Sequence, residues 1–139
     1  MNRIKDKLKE LRVLIEELRS IMPNEYSDYR SDIKLKAASE RYFEKIVECI
    51  TDVCFLVIKH KKLGVPEDDK SAYDLLRRGE IIDEGLRVSL REAKGMRNIL
   101  AHDYGKVDDE LVYHSITSEI IKDGKEFIKQ IERVLLDNG

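Results

Sequence analysis

Residues 31–61 read SDIKLKAASERYFEKIVECITDVCFLVIKHK. Leu35, Ala38, Tyr42, Ile46, Ile50, Val53 and Val57 return here at intervals of three or four, with Phe43, Val47 and Cys54 beside them. An α-helix turns about 100° per residue, so these side chains gather on one broad apolar face. The pattern predicts a long helix from about Ser31 to Lys61, the central and most buried of the fold. Working upstream, Ile4, Leu8, Leu11, Ile15, Leu18 and Met22 alternate spacings of four and three, the stripe of an amphipathic helix that stops at Pro23. The segment between, with Pro23-Asn24, Tyr26 and Tyr29, reads as a turn region.

Downstream, Gly64-Val65-Pro66 is expected to end the central helix, because glycine tolerates a left-handed cap and proline cannot continue the hydrogen-bond ladder. Ser71 is expected to cap a short helix through Arg78, which Gly79 interrupts. Asp83 can cap another helix running toward Tyr104, with Gly95 expected as a weak point or kink and Gly105 as a stop. Asp108 offers an N-cap for a last helix in which Leu111, Ile116, Ile120, Phe127, Ile131 and Leu135 keep helical spacing. The expected fold is all-α: an up-and-down bundle of four substantial helices with one additional short helix. Without repeat, low-complexity tract or linker, residues 1–139 read as one domain.

The bulk properties agree. Charged residues make up 39% of 139 residues, while glycine (7), proline (2) and aromatics (6%) are scarce, which favours long helices with solvated faces. A net charge of −2 excludes the global positive field of a strongly basic nucleic-acid-binding domain, so any RNA contact must come from a local patch. Cys49 and Cys54 lie in the central apolar pattern without metal or disulfide spacing and read as buried thiols. The N-terminus alternates charged and apolar residues from Arg3, and no stretch has the length of a membrane span, so a soluble cytoplasmic protein is expected. His60 and His114 have no companion ligands in the sequence, no Gly-rich phosphate loop occurs, and neither metal nor cofactor is expected.

The candidate chemistry lies in Arg97-Asn98-Ile99-Leu100-Ala101-His102-Asp103-Tyr104. Leu86, Leu90, Ala93, Met96 and Leu100 supply the apolar side of this helix, so Asn98, His102 and Tyr104 are not needed for its packing. Arg87, Arg91, Lys94, Asn98 and His102 fall in one narrow stripe, a short basic track leading to an imidazole able to exchange protons near neutrality. Arg97 and Tyr104 nearly superimpose in projection, whereas Arg97 and His102 diverge by roughly 140° on a straight helix. Convergence on one target needs a long arginine reaching round, a kink near Gly95, fraying, or a second copy across a two-fold axis.

The string Arg-Asn-x-x-x-His-x-Tyr resembles the Arg-x4–6-His signature of HEPN proteins in the form used by HepT-type toxins. Gly95-Met96 before Arg97, the Ala37-Ala38-Ser39-Glu40-Arg41-Tyr42 opening of the central helix and the last helix after Asp108 are similar to the family layout, so the likeness covers nearly the whole chain. The resemblance implies an endoribonuclease toxin of a type VII-like toxin–antitoxin system that works without a metal as a homodimer. In it His102 would exchange the proton of the ribose 2′-hydroxyl, Arg97 would stabilise the phosphorane charge, and Asn98 would orient His102. Tyr104 would be adenylylated by a minimal nucleotidyltransferase antitoxin. Arg87, Arg91 and Lys94 would meet RNA phosphates. Asp52, which matches an acidic position of the family pattern, could approach the site or sit on the solvated edge of its helix, and Arg41 has the same two readings. The alternative to a nuclease is a non-catalytic helical partner of the same nucleotidyltransferase.

Overall fold

A computed structural model describes residues 1–102 and 108–137. Among the described residues seven α-helices and one π-helical segment follow in order: α1 (Asn2–Ile21), α2 (Tyr26–Ser31), α3 (Ile33–Lys61), α4 (Asp69–Arg78), α5 (Glu84–His102), α6 (Asp109–His114), the π segment (Ser115–Glu119) and α7 (Ile120–Asp137). No strand occurs among the described residues, and the protein is an all-α bundle.

The apolar stripe of α1 is buried as its spacing requires, through Ile4, Leu8, Leu11, Ile15 and Leu18. It lies against α3, whose Phe43, Ile46, Val47, Ile50, Val53, Cys54 and Val57 are each at most 2% exposed. Besides α1, the central helix touches α2, α4, α5 and α7. Contacts between successive long helices run in opposite senses: Lys7 with Asp52 and Glu17 with Tyr42 join α1 to α3, and Asp69 with Lys94 and Asp74 with Arg87 join α4 to α5. That is the up-and-down connectivity expected of short loops. α7 closes the bundle against α1, where a Cβ at Gly124 would stand 2.8 Å from Ile15 Cδ1.

Helix ends follow side-chain chemistry that periodicity does not report. α3 starts one residue beyond Asp32, whose carboxylate accepts from the Lys34 and Leu35 amides at 3.1 Å. It ends at Lys61, before the glycine, with Lys62 in the left-handed region at φ 56° and the Leu63 amide donating to Ile58 O, a Schellman closure. α4 is capped by Asp68 and not by Ser71. Ser71 is the third residue of a capping box in which Asp68 Oδ1 accepts from its amide at 2.7 Å and its hydroxyl oxygen accepts from the Asp68 amide at 2.9 Å.

Two further departures have physical causes. The Tyr26/Tyr29 turn forms the short helix α2, because Tyr29 is wholly buried against Tyr26 and Tyr113 and its hydroxyl donates to Glu40. α5 runs through Gly95 as one continuous helix. The last helix is interrupted by the π segment, where the Thr117 and Ser118 hydroxyls donate to the carbonyls of Tyr113 and His114, four residues back, at 2.7 and 2.8 Å. Such back-bonding bends and loosens a helix. The expected stop at Gly105 lies outside the described residues.

Gln130 of α7, 4% exposed, fixes the start of α5. Its Oε1 accepts from the Asp83 amide, and its Nε2 donates to Asp83 Oδ2 and Glu126 Oε1, each at 2.9 Å. Asp83 Oδ1 in turn accepts from the Leu86 amide at 2.8 Å. Gln130→Ala leaves this cap partly unsatisfied, and an expected loss of about 1–3 kcal/mol in urea unfolding measures it.

Candidate active site

The site is built on α5, seated by the buried Leu86, Leu90 and Leu100 and anchored at its first turn by Gln130. The helix carries Arg87, Arg91, Lys94, Arg97, Asn98 and His102, and their environments differ sharply.

The basic track faces α4. Arg87 donates from Nη1 to Asp74 Oδ1 at 3.0 Å and from Nε and Nη2 to the two oxygens of Glu84 at 2.7 and 2.8 Å. Hydrogen bonding from Arg87 lowers the Glu84 pKa, and the same carboxylates, with Asp74, raise that of the guanidinium. Arg91 Nη1 reaches Asp74 Oδ2 at 2.8 Å and Lys70 O at 3.2 Å, and Lys94 Nζ reaches Asp69 Oδ2 at 2.8 Å. The three cations of α5 therefore meet Asp69, Asp74 and Glu84, the last shared with Arg77 of α4, and are neutralised within the protomer. Helical projection placed the three on one face, but could not show that α4 would cover it with carboxylates.

Arg97 points the other way, toward α3. Its Nη2 donates to Glu48 Oε1 at 2.9 Å, with the two side chains 22% and 41% exposed. Its Nε is buried without a hydrogen-bond partner, as is the Ser39 hydroxyl of α3. His102 ends the described part of α5 and is exposed, and Asn98, one turn earlier, is half-buried. No hydrogen bond joins Asn98 to His102. Tyr104 lies outside the described residues.

Asp52 turns to α1, 3.5 Å from Lys7 Nζ and 58% exposed, and Arg41 pairs with Glu44 on the outer surface of α3. Neither contacts Arg97. The acidic residue that does is Glu48, one turn before Asp52, which the sequence reading missed. The two carboxylates stand one turn apart on α3, and only the position of α5 decides which one meets the arginine. Chemically, α5 thus presents a guanidinium steadied along one edge and, on a different face, an imidazole open to solvent. No helix of the described residues is long and apolar enough to cross a membrane.

Bundle and motif together are those of the HEPN ribonucleases. The chain belongs to the ribonuclease HepT-like family, whose pattern matches residues 11–131. It is 24% identical over 106 residues to the mRNA nuclease HepT of Shewanella oneidensis, covering 76% of this chain and 79% of that protein. A candidate RNase of Archaeoglobus fulgidus is 37% identical over 89 residues, 64% of this chain and 66% of that one. The fold is shared with the tri-AMPylated Shewanella oneidensis HEPN toxin in its complex with the MNT antitoxin, at a TM-score of 0.86 and 22% identity over 94% of this chain and 96% of that chain.

The α4–α5 ladder has a measurable weight. Lys94 is the most deeply placed of the three cations, its side chain 11% exposed while Asp69 is 40% exposed. Its pairing is therefore worth more than a surface salt bridge and less than a fully buried one. Lys94→Ala is expected to lower unfolding stability by about 1–3 kcal/mol, measured by thermal or urea denaturation.

Proposed function

We propose that this chain is a metal-independent endoribonuclease, the toxin half of a toxin–antitoxin pair, and that it acts as a homodimer on RNA. The observation that carries the reading is the placement of the motif in a HepT-like bundle: Arg97 is held against Glu48 while His102 stands exposed at the end of the same helix. Because the two diverge within one protomer, a two-fold pairing of α5 ends is the economical way to bring an arginine and a histidine to one phosphodiester.

In this mechanism His102 takes the proton of the ribose 2′-hydroxyl as its oxygen attacks the adjacent phosphorus. The 5′-oxygen leaves with a proton returned to it, giving a 2′,3′-cyclic phosphate and a 5′-hydroxyl end. Arg97 stabilises the charge on the phosphorane oxygens, and Glu48 positions Arg97 through Nη2. Of the cations proposed to meet RNA, Arg91, 38% exposed, is the best placed and Lys94 the least, because the α4 carboxylates already engage them.

The test is cleavage of RNA by purified protein in EDTA. Wild type is expected to cleave, and Arg97→Ala and His102→Ala to lose about 100-fold or more. Equal cleavage by both variants overturns the residue assignment. No cleavage by wild type at any concentration favours a non-catalytic partner of the nucleotidyltransferase.

We further propose that Tyr104 is the hydroxyl a partner nucleotidyltransferase adenylylates. An adenylate two residues from His102 would set negative charge where substrate phosphate must bind. Incubation with the partner and ATP is expected to add adenylate to wild type and none to Tyr104→Phe, read by mass spectrometry, with RNA cleavage lost only where the mass increases.

A further inference from the structure

Across α1 and α7 the charges are not balanced as they are between α4 and α5. The two helices run antiparallel, with Ile15 against Gly124 and an Arg12–Glu132 ion pair further along. Between them lies a groove that this pair divides into hollows of about 550 and 220 Å³. Lys5, Lys9 and Arg12 of α1 and Lys125, Lys129 and Arg133 of α7 line it. Among the described residues its only carboxylates are Glu132, taken by Arg12, and Glu16, which Arg19 meets at 3.4 Å. The other five cations are exposed and have no ion pair, in a chain whose net charge is −2. Helix stability does not account for them, since Lys5 stands in the first turn of α1, where the helix dipole favours an anion.

The floor of the groove is apolar and regular. Ile15 and Ile128 underlie the larger hollow, and Leu8 and Leu135 the smaller. Leu8 and Ile15 on α1, like Ile128 and Leu135 on α7, are separated by two helical turns, about 10.5 Å. Leu136, 79% exposed, opens onto both hollows. No aromatic side chain lines either one, so nucleic-acid bases would find no stacking platform.

We propose that this groove is the docking site for an acidic amphipathic helix of a partner protein. Apolar side chains at i and i+7 of such a helix repeat the two-turn spacing of the floor and settle on either side of the Arg12–Glu132 pair. Carboxylates flanking that stripe meet the unpaired cations of α1 on one side and of α7 on the other, which sets orientation and speeds encounter. An RNA strand would neutralise the same cations but leave Leu136 and the apolar floor uncovered. None of the groove residues belongs to α5, so the proposal stands apart from RNA cleavage.

The probe is a stapled helical peptide repeating Leu-Ala-Ala-Leu-Glu-Ala-Glu, titrated into the full chain and followed by amide NMR. Saturable shifts are expected within residues 5–16 and 125–136, with affinity falling as sodium chloride rises from about 50 to about 300 mM. Leu136→Ser, and Lys125→Glu combined with Lys129→Glu, are each expected to weaken binding about tenfold or more. The thermal midpoint of both is expected to stay near that of wild type, because all three side chains are exposed. A peptide with Lys in place of Glu, and one of unchanged composition with its leucines spread round the helix, are expected not to bind. Equal shifts from either control, unchanged affinity in both variants, or no saturation up to about 1 mM peptide would overturn the proposal. So would a single-stranded RNA that displaces the peptide from the same amides, which assigns the groove to nucleic acid.

Discussion

The bundle depends on the burial of one broad face of α3. Each of its fully covered Ile, Val and Phe side chains contributes about 1.5–3 kcal/mol by leaving water, and no single neighbour could cover a face that wide. α1, α4, α5 and α7 each take a sector of the surface, which fixes their order around α3. The edges matter as much as the centre. Thr51, 5% exposed, bonds to Tyr73 of α4 at 2.7 Å, and Glu48 meets Arg97 of α5. The helix that supplies the hydrophobic driving force therefore also sets where the functional helix lies.

Around α5 the charges are divided between two tasks. On the α4 side, Arg87, Arg91 and Lys94 are balanced by Asp69, Asp74 and Glu84 and hold two helices together. On the α3 side, a single guanidinium is half satisfied by Glu48 and keeps a buried Nε without an acceptor. The first arrangement is what a stable interface requires. The second leaves a donor unsatisfied, and sites that bind or react often retain such groups.

The interruption of the last helix has a local chemical cause. Two consecutive hydroxyl residues, Thr117 and Ser118, bond to carbonyls a turn earlier, and the ladder there shifts to π spacing. The shift carries Ser115 and Glu119 to the same space as Asp123, so a feature of five residues shapes the surroundings of α5. The Ser-Ile-Thr-Ser string was readable, but apolar periodicity on both sides masked it.

By itself the sequence determined the all-helical class, the boundaries of α1, the extent and centrality of α3, the Asp83 and Asp108 caps, and the Arg97–His102 motif. All of these follow from spacing along one chain, which fixes angles on a helix without knowledge of its neighbours. It misread what depends on a second element. Tyr26–Ser31 became helical because Tyr29 found a pocket, and Ser71 ceded its cap to Asp68. The basic track met the carboxylates of α4, and Glu48 rather than Asp52 met the arginine. Periodicity assigns a side chain to a face. Only tertiary packing decides what stands opposite that face, because partners are chosen by the positions of helices whose separation along the chain carries no angular information.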